Sequence, residues 1–245
     1  MTEKALNVVE KASRNEIISA CSICPARDNS VLRNSSESIL DIISSSRKKM
    51  FFAKGELLAQ EDDSSQKIYC ISTGKIKIYK TDSNGNEVII RFATAGDIIG
   101  GEMLMSKSIY DISAMAVADS FACCIDSEVY RNAIKSEGEL PMELLKYYEG
   151  ELHRAKIKIL KLARLKVNEK VADALLTLYE TFRMNDDNST IRITLSRQDI
   201  ANMAGTTKEQ VSKVLSKFSD QGIIKARGKQ IEFLNLETLR KISHV

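Results

Sequence analysis

Glu209 is followed at three and four residues by Ser212 and Lys213, so one face of a helix there would carry a carboxylate, a hydroxyl and an ammonium within a turn. These groups suit the edges of base pairs in the major groove of DNA. Glu accepts from the cytosine amino group, Lys donates to guanine, and Ser serves either role. The thiols are the second chemistry-bearing set. There are five cysteines, an odd number in a chain whose opening, MTEKALNVVEKASRNE, is charged and lacks an apolar signal core. They are expected to stay reduced, as buried thiols, metal ligands or redox sensors, and not to form a disulfide framework.

The elements that must position the first set are legible around it. Residues 194–205 read as a short helix with Ser196 as N-cap, Asp199 in the first turn and Gly205 at its end. Thr207-Lys-Glu-Gln210 has the capping-box form and starts a second helix over 207–219. In it Val211, Val214, Leu215 and Phe218 fall at helical spacing and predict a buried face, opposite Glu209, Ser212, Lys213 and Ser216. Ser196, Arg197, Thr206, Thr207 and Lys208 are placed to hold phosphates, which sets register without reading sequence. Beyond Gly222 the chain alternates around Arg227-Gly228, predicting a hairpin wing with Lys225, Arg227 and Lys229 turned to the DNA backbone. The competing reading is a plain three-helix domain whose polar face is merely solvated.

Upstream, residues 1 to about 50 are polar and Ser-rich and read as a loosely packed leader with a short helix around Ser38 to Ser44. From 51 to about 130, short alternating runs are bounded by Gly55, Gly74, Asn84-Gly85-Asn86 and Gly96-Asp97, which predicts a small antiparallel barrel or sandwich. From Pro141 the period is helical. Leu145, Tyr148, Leu152, Ala155, Ile159 and Leu162 recur at steps of three and four, a heptad seam along a helix of about 37 Å. We read it as a dimer seam; a helix packed along its own barrel would carry the same stripe. The expected organisation is a strand-rich domain with its leader over residues 1–140, a dimerisation helix over 141–166 and a DNA-binding domain over 167–245.

Composition bounds the rest. The chain has 245 residues, 43% of them hydrophobic, with 36 Lys plus Arg against 33 Asp plus Glu. That is enough for two modest domains with real cores, and a net charge of +3 decides nothing about partners. No apolar run is long enough to span a membrane, so the cytoplasm is the expected compartment. Catalysis is not expected: the only histidines are His153 and His244, no Ser-His or Cys-His pair is in view, and there is no phosphate-binding loop or dinucleotide fingerprint. The rival function class is a thiol or metal redox-sensing protein whose C-terminal domain binds a protein partner.

Taken together, Gly55-Glu56, Gly74, Gly96-Asp97-Ile-Ile-Gly100, the long helix, and Ser196-Arg-Gln-Asp-Ile-Ala through Gly222-Ile-Ile resemble the CRP/FNR superfamily of bacterial transcription regulators over nearly the whole chain. The resemblance implies an α+β architecture: an N-terminal β-roll sensor domain, cupin-like and of the cyclic-nucleotide-binding type, a long dimerisation helix and a C-terminal winged helix-turn-helix. It also implies a homodimer on a pseudo-palindrome of double-stranded DNA, half-sites about 34 Å apart, with RNA polymerase as a further partner. The FNR branch carries Glu, then Ser and Arg three and four positions on. Glu209, Ser212 and Lys213 reproduce this with Lys for Arg, which lacks the bidentate fork to guanine.

The resemblance also bears on the signal. Cyclic-nucleotide members pair the phosphate with an Arg-Ser step; here Ser113 is preceded by Ile112, whose aliphatic side chain cannot do so, which argues against cAMP or cGMP. FNR-type oxygen sensors hold a [4Fe-4S] cluster on an N-terminal Cys-x2-Cys-x5-Cys and one cysteine of a late roll strand. Cys21, Cys24 and Cys123 match three of those ligands; Ser30 stands at the remaining one, with Asp28 or Cys124 as candidates to complete the set. Zinc binding, dithiol sensing and an unknown effector stay open, with Cys70, Cys123 and Cys124 then acting as buried small hydrophobes.

Overall fold

The computed structural model describes residues 20–104, 109–136, 138–182, 190–191 and 195–243; residues 1–19 of the leader and His244 lie outside them. Two compact units emerge, one of residues up to 76 with 93–149, the other of 77–92 with residues from 150 onward.

The strands of the N-terminal half are β1 (Lys48–Phe52), β2 (Leu57–Ala59), β3 (Lys67–Thr73), β4 (Ile76–Thr81), β5 (Glu87–Ala93), β6 (Ile98–Ile99), β7 (Ser113–Ala116) and β8 (Ser120–Asp126). They make two four-stranded sheets, β1-β8-β3-β6 and β2-β7-β4-β5. β8 pairs antiparallel with both β1 and β3, placing Cys70 opposite Cys123 and Tyr69 opposite Cys124. The turn glycines are conformational necessities at several of the expected places. Gly74 has φ +99°, and a Cβ there would lie 2.6 Å from the Ser120 Cα, so no other residue fits. At the β4–β5 hairpin, Asp82 Oδ1 accepts from the backbone N–H of Asn84 and Asn86, each at 2.8 Å, an Asx arrangement that closes the turn.

The leader departs from expectation. Helix α1 (Glu37–Ser46) is capped by Ser36 and buries Ile39, Leu40 and Ile43, and these share one core with Val31, Leu32, Ile68, Ile125 and Tyr130. Described residues 20–46 are therefore a packed part of the unit and not a loose lead-in. The polar composition concealed it because three apolar side chains at i, i+1 and i+4 suffice to seat a short helix. Helix α2 (Ser127–Ser136) packs on α1. The start of helix α3 (Glu139–Arg164) buries Glu143, whose carboxylate receives Arg33 Nη2 at 2.8 Å, Asn34 Nδ2 at 3.1 Å and Lys146 Nζ at 2.9 Å.

The C-terminal elements are α4 (Val167–Phe182), β9 (Thr190–Ile191), α5 (Arg197–Ala204), α6 (Lys208–Asp220), β10 (Ile224–Arg227), β11 (Gln230–Phe233) and α7 (Leu236–Ser243). Their core includes Val171, Leu175, Leu178, Ile200, Val211, Leu215, Phe218, Ile231 and Phe233. Helix α7 went unread in the sequence, although its N-cap was there: Asn235 Oδ1 accepts from Thr238 N at 2.9 Å.

Candidate nucleic-acid interface

Helix α5 begins on a full capping box. Ser196 Oγ accepts from Asp199 N at 3.1 Å, and Asp199 Oδ2 accepts from Ser196 N at 2.8 Å and from Ser196 Oγ at 2.7 Å. The Ser196 hydroxyl therefore both donates and accepts inside its own cap, which leaves it no O–H for a phosphate. Gly205 ends the helix in the left-handed region, φ 57° and ψ 49°, and a Cβ there would come within 2.9 Å of Leu162 Cδ2. Leu162 is correspondingly half-buried.

Helix α6 starts at Thr207, whose hydroxyl accepts from Gln210 N at 3.3 Å. The box expected here is only half formed, because the Gln210 side chain takes the hydroxyl of Thr206 in place of the Thr207 backbone. At the far end Gly222 N bonds Ser219 O at 3.0 Å and Ile223 N bonds Phe218 O at 2.9 Å, with Gly222 at φ 67°, a Schellman motif. Val211, Val214, Leu215 and Phe218 are buried, while Thr207, Lys208, Glu209, Gln210, Ser212, Lys213, Ser216 and Lys217 are exposed. The exposed side forms a shallow groove lined by Ser212, Lys213, Ser216, Lys217, Asp220 and Gln221. Ser212 Oγ donates to Lys208 O at 2.9 Å, which engages its O–H and leaves the oxygen to accept. The Glu209 carboxylate lies below its ordinary pKa because its own backbone N–H and the Thr207 hydroxyl donate to it.

The wing forms as expected, with Arg227 and Gln230 paired across a turn at Gly228, where φ is 56°. Arg227 and Lys229 are exposed, and Lys225 Nζ sits 3.9 Å from Glu232 Oε2 on the facing strand. Arg197 donates to the carbonyl of Gly228, so one of its guanidinium arms ties α5 to the wing. On α3, Leu145, Leu152 and Ile159 are 59%, 55% and 67% exposed, and Tyr148 and Ala155 are exposed beside them. Among the described residues, Leu145, Leu152 and Ile159 of this apolar stripe stay largely uncovered, while Leu162 is half-buried and Tyr148 meets Gly101 and the Tyr147 ring.

The thiols converge further than expected. Cys21, Cys24, Cys70 and Cys123 line one cavity of about 40 Å³, together with Ser30. Burial pushes the Cys70 thiol far above its ordinary pKa, and the neighbouring Cys123, Cys21 and Cys24 act in the same direction. Burial also raises Cys123, opposed by Arg47, whose Nη1 is 3.6 Å from the sulfur.

Two family models match the chain: the Crp-like helix-turn-helix domain over residues 169–242 and the cyclic nucleotide-binding domain over residues 49–137. The chain belongs to the CRP/FNR family of transcription regulators. Among its relatives, the fumarate and nitrate reduction regulatory protein of Escherichia coli K12 is 27% identical over 197 residues, 80% of this chain and 78% of that protein. The Vibrio cholerae protein of the same name is 28% identical over 199 residues, 81% and 79% of the two chains. The solved structure of FixK2 from Bradyrhizobium japonicum matches with a TM-score of 0.70 at 27% identity, covering 80% of this chain and 96% of that one.

For a CRP/FNR regulator, the place of the Arg-Ser step that pairs a cyclic phosphate is informative. Ile112 is half-buried, and Ser113 is buried with its hydroxyl accepting from Glu61 N at 3.0 Å. A Cβ on Gly101 would collide with the Tyr148 hydroxyl, so that approach is filled by an aromatic ring. Two residues of this CRP/FNR chain stand differently from their sequence expectation. Gln210, expected only as a capping-box partner, shares the exposed end of α6. Cys70, expected only as a buried small hydrophobe, lines the cavity with Cys21, Cys24 and Cys123. Among the described residues, no helix is long and apolar enough to cross a membrane.

Proposed function

We propose that this CRP/FNR regulator acts as a homodimer that reads a pseudo-palindromic site in double-stranded DNA through α6. Glu209, Ser212 and Lys213 make the base contacts, and Arg197, Thr206, Thr207, Lys208, Lys225, Arg227 and Lys229 hold the backbone. The observation that carries this reading is that the three polar groups are exposed together on the first half of a helix whose opposite face is buried. A carboxylate held ionised by local donors is suited to accept from a cytosine amino group. Dimerisation through the exposed α3 stripe supplies the two-fold symmetry that a palindrome demands, in a sensor, helix and DNA-binding organisation divided near residues 140 and 166. Transcription then changes through contact with RNA polymerase in the cytoplasm.

The signal we propose is an iron–sulfur cluster held by Cys21, Cys24 and Cys123, not a cyclic nucleotide. Three thiols on one cavity are the donor type such a cluster takes, while Ile112 offers no charge to a cyclic phosphate. When bound, a cluster supplies one-electron and oxidant-sensitive chemistry.

Selection of preferred sites from random duplexes tests the DNA reading, followed by affinity for the selected site over a salt series. A symmetric site is expected, with affinity falling steeply as salt rises because binding releases counterions. Recovery of no preferred sequence, or affinity indifferent to salt, would overturn it and leave the protein-binding alternative.

A further inference from the structure

The thiol cavity has one more sulfur than the ligand set proposed above, and that sulfur comes from β3. Cys70 is the antiparallel register partner of Cys123 on β8, and both face the cavity that Cys21 and Cys24 close from the 3-10 turn at Cys21–Ile23 and its following residue. That turn is held firmly. Cys21 N donates to Ser44 Oγ at 2.8 Å, and the Arg27 guanidinium reaches the carbonyls of Ser22 and Arg33 at 3.2 Å and those of Leu32 and Ser35 at 3.5 Å.

The other candidates for a fourth ligand are placed elsewhere or otherwise engaged. Ser30 Oγ donates to Arg27 O at 2.8 Å and accepts from Leu32 N at 3.1 Å. Neither Asp28 nor Cys124 lines the cavity. Cys124 instead interacts with Lys67, Tyr69 and Asp126, as the alternation of β8 requires.

We propose that Cys70 is the fourth thiolate of the iron–sulfur site, joining Cys21, Cys24 and Cys123 and taking the place left by Ser30. This inference rests on the cluster reading above. Among the described residues no three Cys, His, Asp or Glu side chains come close enough to hold a single metal ion. The four cysteines come from three elements, the 3-10 turn, β3 and β8. Donors that do not converge on one point suit a polynuclear group, whose ligands bind different irons, better than one tetrahedral zinc. Ligation replaces each S–H by S–Fe and releases the proton to solvent. The Arg47 guanidinium beside Cys123 offsets part of the charge that four thiolates bring.

Anaerobic reconstitution of the full chain with iron salts and sulfide, read as iron and acid-labile sulfide per chain and as visible absorption, tests this. The wild-type chain and Cys124→Ser are expected to take up about four irons and four sulfides. Cys70→Ser should retain a third or less of that, and Cys70→Ser combined with Ser30→Cys should recover it. Recovery separates a lost ligand from a damaged fold. Full iron and sulfide in Cys70→Ser would overturn the role of Cys70 while leaving the cluster standing. A wild-type chain that takes up neither, or that binds a single zinc instead, would overturn both.

Discussion

Arg197, the first residue of α5, donates to the carbonyl of Gly228 at the tip of the wing, thirty-one residues further along the chain. The guanidinium that sequence assigned to phosphate also sets the wing against the helix-turn-helix. Replacing it by Ala should weaken binding to every duplex alike and speed amide exchange across residues 224–233. Arg227→Ala should also weaken all sequences alike and lower the salt slope by about one, but leave that exchange unchanged. Hydrogen exchange and salt titrations distinguish the two, and unaltered exchange in Arg197→Ala would sink the tether.

The exposed end of α6 makes a different prediction. Glu209→Gln keeps the shape and removes the charge that the Thr207 hydroxyl and the residue's own N–H stabilise. Preference at one base position should relax by about 1–3 kcal/mol, with non-specific binding unchanged or stronger. Lys213→Arg should sharpen discrimination for guanine, since Arg adds the bidentate fork. Competition among single-base variants of the selected site reads both effects, and an equal loss on every variant would refute a base-reading role for Glu209.

Leu152 and Ile159 are exposed on α3 two helical turns apart. Charging them, as Leu152→Glu with Ile159→Lys, should leave the single chain folded and yield monomers in sedimentation equilibrium. Affinity for a two-half-site duplex should fall towards that of one half-site. A double variant that still sediments as a dimer would move the interface elsewhere.

Lys158 gives a pH prediction. Its ammonium donates to the carbonyls of Ile89 at 2.6 Å and Ile90 at 3.0 Å, and burial brings its pKa down to about 8 from 10.5, with Asp173 opposing. Between those values the unfolded chain holds a proton that the folded chain has released, so stability rises with pH over that window and is level below it. Urea unfolding should show wild type gaining on Lys158→Met from pH about 8 to about 10. A parallel course of the two curves would remove Lys158 as the cause.

Local signals carried far in this chain because caps, turns and helical faces are decided by neighbours a few residues apart. Ser196 and Asp199 make their box, Gly205 and Gly222 take the left-handed conformation, and Val211, Val214, Leu215 and Phe218 turn inward together. Competition for one partner was less legible. The Ser196 hydroxyl fits a phosphate or its own cap equally well by type, and geometry decided for the cap. Gln210 suited a capping box, yet Thr206 was nearer to hand.

From its own order of residues the protein determined a helix-turn-helix with a polar outward face, a wing, a strand-rich sensor region and a long apolar stripe, since each depends on periodicity within one segment. Tertiary structure alone decided that the polar leader packs into the core and that Cys70 meets Cys21, Cys24 and Cys123. The physical reason is register. Which residue of β3 lies opposite Cys123 follows from how two strands about fifty residues apart slide past one another, and a shift by one position would have turned Cys70 to the opposite face of the sheet.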